Sequence, residues 1–143
     1  MQDGLPIGRA AKASGIKVPT IRYYEQIGLL PSVGRSQSNR RLYDAVDIDR
    51  MKFIRHSREL GFDIDAIRAL LRLQDDPARP CADADLIAQK RLVEVRTKIS
   101  NLKLLEAELS RMVDEGTHGR IATCRVIETL ADHAQCSYHG ANA

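Results

Sequence analysis

The chain has no tryptophan, two phenylalanines and three cysteines in 143 residues. Three thiols in a reducing compartment are poor candidates for a disulfide framework and better ones for buried thiols, metal ligands or a redox sensor. No apolar run approaches the ~20 residues needed to cross a bilayer. The opening Met1-Gln2-Asp3-Gly4-Leu5-Pro6 lacks the basic segment and apolar stretch of a secretory leader, so a cytoplasmic protein with no membrane partner is expected. Also missing are a nucleophile–base constellation, a glycine-rich phosphate loop and a paired-carboxylate site, which argues against an enzyme. No internal repeat or low-complexity segment stands out.

The residues present are those of a globular protein, 43% hydrophobic and 29% charged. Their distribution is uneven. Tyr23, Tyr24 and Tyr43 fall in the first third. Residues 1–60 hold 11 Lys/Arg against 6 Asp/Glu, a net +5, whereas residues 61–143 hold 11 against 13, a net −2. A basic N-terminal part joined to a near-neutral remainder suits a phosphate-binding module with a separate assembly or sensing part.

Helical signals dominate. Pro6 opens a helix through Ala10, Ala11 and Ala13 that stops at Gly15, and a second starts near Val18-Pro19 and stops near Gly28. Two short helices around a glycine-containing turn form a helix-turn-helix pattern. Residues 30–43 lack helical period. Pro31, Gly34 and Ser36-Gln37-Ser38-Asn39 mark a turn between two short extended pieces, a β-wing flanked by Arg35, Arg40, Arg41 and Tyr43. Asp44 caps a helix over roughly 45–60 with Ile48, Met51, Phe53 and Ile54 on its apolar side. Asp63 caps another bearing Ile67, Leu70 and Leu71, ended by Asp75-Asp76-Pro77.

Residues 82–113 read as one long helix without Gly or Pro. Leu92, Val95, Ile99, Leu102, Leu109 and Val113 follow a 3-then-4 repeat, with Glu106 in one core slot. A seam this narrow is buried by an antiparallel coiled coil with a second copy, the reading that makes a homodimer expected, or alternatively against the chain's own first domain. Gly116 and Gly119 open a loop, and Val126, Ile127 and Leu130 mark a short last helix. The expected fold is all-α with a small β-wing, divided into 1–76, a winged helix-turn-helix DNA-binding domain, 77–113, a linker and antiparallel coiled-coil dimerisation helix, and 114–143, an effector-binding loop, helix and tail.

Several of these residues carry a family resemblance. Ile7-Gly8-Arg9-Ala10-Ala11, Thr20-Ile21-Arg22-Tyr23-Tyr24-Glu25, Gly28-Leu29-Leu30, Arg40-Arg41-Leu42-Tyr43, and Phe53-Ile54-Arg55 through Leu60-Gly61-Phe62 together resemble the MerR family over residues 6–113. The resemblance implies a transcription regulator whose dimer binds promoter DNA and, with effector bound, distorts it for RNA polymerase. The chemistry agrees. Arg22 is a forked donor near the entrance of the second helix, beside Lys17 and Thr20, where backbone N–H groups also favour an anion. Tyr23 is expected toward DNA and Tyr24 in the core. Arg35, Arg40, Arg41 and Arg55 can meet phosphates, and Tyr43 can add a hydroxyl donor. His56 reads as a surface or phosphate-side group.

Cys81, just before the long helix, resembles a ligand of the branch that senses zinc, cadmium, lead or mercury, where copper-sensing relatives generally have Ser. Cys124 similarly resembles a ligand. That branch usually opens its loop with a Cys, and this chain has Asp114-Glu115-Gly116 instead. His118 is the candidate third ligand, with Glu115 or Asp114 as a fourth donor of a tetrahedral site. Cys136, with His133 and His139 at helical spacing, forms a further candidate cluster in the tail. A divalent metal ion, zinc first among them, is the expected effector. A thiol-based redox or electrophile response is the alternative.

Overall fold

The computed structural model describes residues 4–31, 42–115, 119–132 and 134. The chain divides into two compact units, Met1–Ala88 and Gln89–Ala143, so the N-terminal unit extends past the expected boundary at 76.

In the N-terminal unit, α1 (Ile7–Ser14) starts directly after Pro6, whose extended backbone suits the entry position of a helix. It stops at Gly15, which takes the left-handed conformation at φ +78° and donates its N–H to the Ala11 carbonyl at 2.9 Å. That backbone conformation favours glycine, and a Cβ here would lie 1.9 Å from an Arg55 guanidinium nitrogen, which would have to move aside. Buried Ser14 stitches the turn: its hydroxyl accepts the Ile16 N–H at 3.2 Å. The next helix, α2 (Val18–Gln26), carries Pro19 in its first turn and presents Ile21 and Tyr24 inward. Leu29 and Leu30 then fold back, both donating backbone N–H to the Tyr24 carbonyl.

Helix α3 (Ala45–Glu59) opens on a reciprocal capping box. Asp44 accepts the Asp47 N–H at 2.9 Å, and Asp47 accepts the Asp44 N–H at 3.0 Å. Helix α4 (Ile64–Gln74) is capped by Asp63, which accepts the Ala66 N–H at 2.7 Å. Ile48, Met51 and Ile54 of α3 and Ile67 and Leu71 of α4 enter one core with Ala10, Ile21, Leu29 and Tyr43, and Phe53 packs at its margin. Helix α1 packs against both α2 and α3.

A small antiparallel sheet accompanies these helices. A two-residue strand β1 (Leu5–Pro6) pairs antiparallel with β2 (Leu42–Tyr43), in register Leu5 to Tyr43 and Pro6 to Leu42. Among the described residues, then, β2 has a strand partner that precedes α1, a pairing the sequence did not announce. The expected wing turn, with Arg35, Arg40 and Arg41, falls outside the described residues.

Helix α5 (Cys81–Asp114) is continuous, one residue longer at each end than the expected 82–113. The 3-10 turn Ile121–Thr123 and helix α6 (Arg125–Ala131) follow. Within the C-terminal unit, Leu92, Ile99, Leu102, Leu109 and Val113 are all exposed on the single chain. An open groove of about 570 Å³ runs between Leu102, Leu105, Leu109 and Val113 beside Glu106. No helix among the described residues is long and apolar enough to cross a membrane.

Candidate nucleic-acid interface and effector segment

Helix α2 has a sharply divided surface. Ile21 and Tyr24 are buried, while Pro19, Arg22, Tyr23 and Gln26, spaced at i, i+3, i+4 and i+7, form its exposed face. Tyr23 is 49% exposed and Tyr24 8%, the division expected for adjacent helical residues. Lys17 is exposed at the N-cap position and Thr20 is half-buried one turn on. The first turn holds neither an acidic side chain nor a side-chain cap. The positive end of the helix dipole is therefore flanked by Lys17 and Arg22 with no carboxylate in its own first turn, which favours an anion.

The single carboxylate of α2 is turned the other way. Glu25 accepts a hydrogen bond from the hydroxyl of Tyr43, whose side chain is fully buried. This corrects the expectation that Tyr43 offers its hydroxyl to a phosphate. The pairing of β2 with β1 draws the ring into the core, and the hydroxyl is engaged there. The result is still useful electrostatically, because the acid of α2 is held away from its cationic face.

Two arginines of α3 act within the fold. Arg55, an expected phosphate ligand, donates to the Ser14 carbonyl at 3.3 Å and pairs with Glu59 at 3.2 Å, so it buttresses the turn between α1 and α2. Arg50 was not singled out from the sequence. Its Nε donates to the Leu29 carbonyl at 3.1 Å, and Nη1 reaches both Asp75 oxygens at 3.2 Å, linking the exit of α2 to the end of α4. Nothing in the local sequence distinguishes it from its surface neighbours. His56 is exposed, as expected.

Cys81 and Cys124 are both free thiols. Cys81 is the exposed first residue of α5, its sulfur 3.9 Å from Asp85 Oδ1. Cys124 is half-buried at the N-cap of α6. Of the carboxylates suggested as further donors, Asp114 accepts from the Ser110 hydroxyl at 3.2 Å. Glu115 accepts from Arg111 at 2.9 Å and lies 3.3 Å from Arg125. His118, His133, Cys136 and His139 lie outside the described residues. Among the described residues no group of three His, Cys, Asp or Glu side chains gathers to hold a metal. The two thiols suit a soft divalent ion, but a full ligand set requires donors beyond those described in one chain.

Residues 5–74 match the family described as MerR HTH family regulatory protein, and residues 48–112 match MerR, DNA binding. The HTH-type transcriptional regulator ZntR of Escherichia coli K12 is 37% identical over 131 residues, spanning 90% of this chain and 93% of that protein. The chain belongs to the MerR family. This MerR protein is also 39% identical over 111 residues to the mercuric resistance operon regulatory protein of Serratia marcescens, covering 78% of the chain and 76% of the relative. Its fold is similar to the crystal structure of the transcription regulator PbrR691 from Ralstonia metallidurans CH34 in complex with lead(II). The TM-score is 0.76 at 36% identity, covering 88% of this chain and 98% of that one. These relatives are transcription regulators, not enzymes.

Proposed function

We propose that this MerR protein is a cytoplasmic, metal-responsive transcription regulator that binds promoter DNA as a homodimer. The observation that carries the reading is the exposed face of α2, where Lys17, Arg22 and Tyr23 surround a helix entrance and the only acid of the helix is turned inward. Lys17, Thr20, Arg22 and Tyr23 meet the duplex, and Arg35, Arg40 and Arg41 straddle its backbone from the wing. Arg55 acts chiefly by holding the turn that aims α2. The exposed seam of α5 supplies the homodimer contact, because an apolar stripe of this length is stable in water only when covered.

A divalent ion is the effector, held by Cys81 and Cys124 with His118 and Cys136 completing the set. Support comes from the relatives, one of them solved with lead(II) and another a mercuric resistance regulator. Thiolates favour soft ions, so zinc, cadmium, lead and mercury are the candidates. When bound, the ion biases the dimer toward the state that distorts the promoter and presents it to RNA polymerase.

The test is promoter binding and metal-dependent transcription in vitro with Cys81→Ser and Cys124→Ser. Both variants should retain the operator and lose the response to zinc and lead. Variants that still respond would remove the thiols from the site. Loss of response to peroxide but not to metal would transfer the reading to thiol oxidation, for which the exposure of free Cys81 is the favouring observation.

A further inference from the structure

The segment between α5 and α6 is bracketed by charges. Glu115 follows the last residue of α5, and Arg125 is the first residue of α6, directly after Cys124. Arg125 Nε is buried and lies 3.3 Å from Glu115 Oε2. The same Glu115 oxygen accepts a hydrogen bond from Arg111 Nη1 at 2.9 Å. Arg111 in turn forks onto Glu108, with Nη2 to Oε1 at 2.5 Å and Nε to Oε2 at 3.2 Å. Glu108 is itself only 3% exposed, and the Arg111 guanidinium is held above its ordinary pKa first by its hydrogen bond to Glu108. Beyond Arg125, Glu128 lies 3.6 Å away. The sequence of charges is acid, base, acid, base, acid, running from the body of α5 into α6.

Such an alternation has a physical consequence. An isolated surface ion pair contributes little, because solvent screens it and two long side chains must be ordered. Here Arg111 is already ordered by a buried acid, so Glu115 is presented to Arg125 with less freedom left to lose. The pair joins the two ends of a segment of nine residues, 116–124, and closing such a segment costs entropy that a fixed cross-link offsets. Cys124 sits next to the pinned arginine and caps the helix that arginine begins. The cross-link also stands where the metal-sensing branch usually opens this loop with a thiolate, and here that stretch reads Asp114-Glu115-Gly116.

We propose that Glu115 and Arg125, anchored through Arg111 on Glu108, form a charge clasp that closes the Cys124 segment without a metal ion. Glu115 is thus a positioning residue for the thiol and is not a metal ligand. Two guanidiniums claim its carboxylate, and a cation approaching it would have to displace at least one of them. The clasp stands on the geometry alone. Its connection to metal response rests on the function proposed above.

The experiment uses the full-length, chelator-treated protein and reads amide hydrogen exchange across residues 124–131. Glu115→Gln, Arg125→Gln and the double variant are compared, with circular dichroism to verify that helix content is kept. Each single variant should speed exchange in α6 about fivefold, and the double variant should fall well short of the product of the two effects, because both singles remove the same Glu115–Arg125 interaction. Exchange unchanged in both singles, or effects that multiply in the double, would overturn the clasp.

Zinc titration of the same proteins separates positioning from ligation. A positioning role predicts that both singles weaken zinc binding by similar factors. If instead Glu115→Gln weakens it while Arg125→Gln tightens it, the carboxylate is a ligand freed from its arginine and the proposal fails. Should the parent bind no zinc at all, the proposed function loses its effector while the exchange measurement still decides the clasp.

Discussion

The two units of this chain use similar apolar residues to opposite ends. In Met1–Ala88 four helices bring Ile21, Leu29, Tyr43, Met51, Ile54 and Ile67 to a common centre with essentially no exposed surface. In Gln89–Ala143 the described hydrophobic residues bury little beyond Met112, and Leu102 remains 63% exposed. The difference lies in geometry rather than composition. Apolar residues on short helices joined by tight turns converge, whereas a seam along one long helix faces a single direction and needs a surface from elsewhere. One unit is therefore complete by itself, and the other is an offer of contact. On the proposed function the first unit would read DNA and the second would supply the contact with another copy.

The comparison is broken most severely by a charge in the seam. Leu102→Asp should convert the dimer to monomers, since an uncompensated charge in a buried interface costs about 3–5 kcal/mol. Sedimentation across a range of concentrations checks this, and the helix-turn-helix unit should keep its fold. A truncation in the N-terminal core acts differently. Ile54→Ala should lower unfolding stability by about 2–5 kcal/mol, read by urea denaturation, with no specific effect on the association of the seam. Were both variants to act alike, the two units would not be separable.

Smaller effects refine the reading face. Arg22→Ala should weaken promoter binding by about 1–3 kcal/mol if the arginine meets a base, or lower the salt slope by about 1 if it meets a phosphate. Gel retardation at several salt concentrations distinguishes these. Tyr43→Phe, by contrast, should leave the salt slope unchanged and destabilise the fold, because the hydroxyl is committed to Glu25.

The smallest expected effect concerns pH. Burial, reinforced by the neighbouring Asp44 charge, raises the Asp47 carboxyl above its ordinary 3.8 despite the opposing backbone hydrogen bond from Asp44. An acid raised by folding contributes stability that is present below the unfolded value and lost as pH rises through the folded value. Asp47→Asn keeps an acceptor for the Asp44 N–H and removes the ionisation. Its melting temperature relative to the parent should therefore be more favourable at pH 7 than at pH 3.5.

Much of the fold was legible from local chemistry. Asp44 and Asp63 announced α3 and α4 because a cap is made by residues three apart, and the period of α5 declared its seam. The split between Tyr23 and Tyr24 followed from helical geometry alone. What escaped was non-local. Leu5–Pro6 is too short to read as a strand, so the partner that draws Tyr43 inward was invisible. Arg55 looks like a phosphate ligand in a basic segment and Arg50 like any surface charge, and the carbonyls of Ser14 and Leu29 reach them only once the chain has folded. The candidate effector residues were legible as thiols but not as a site, because no ligand set is gathered among the described residues of one chain.

The central claim is that a seam-paired dimer presents two α2 faces to one duplex. Sedimentation equilibrium of the full-length protein with a labelled fragment of its own promoter, at low and high salt, tests it most directly. The account predicts two chains per duplex at low salt and dissociation from DNA, but not of the dimer, as salt rises. Single chains that ignore the duplex at every salt concentration would contradict it.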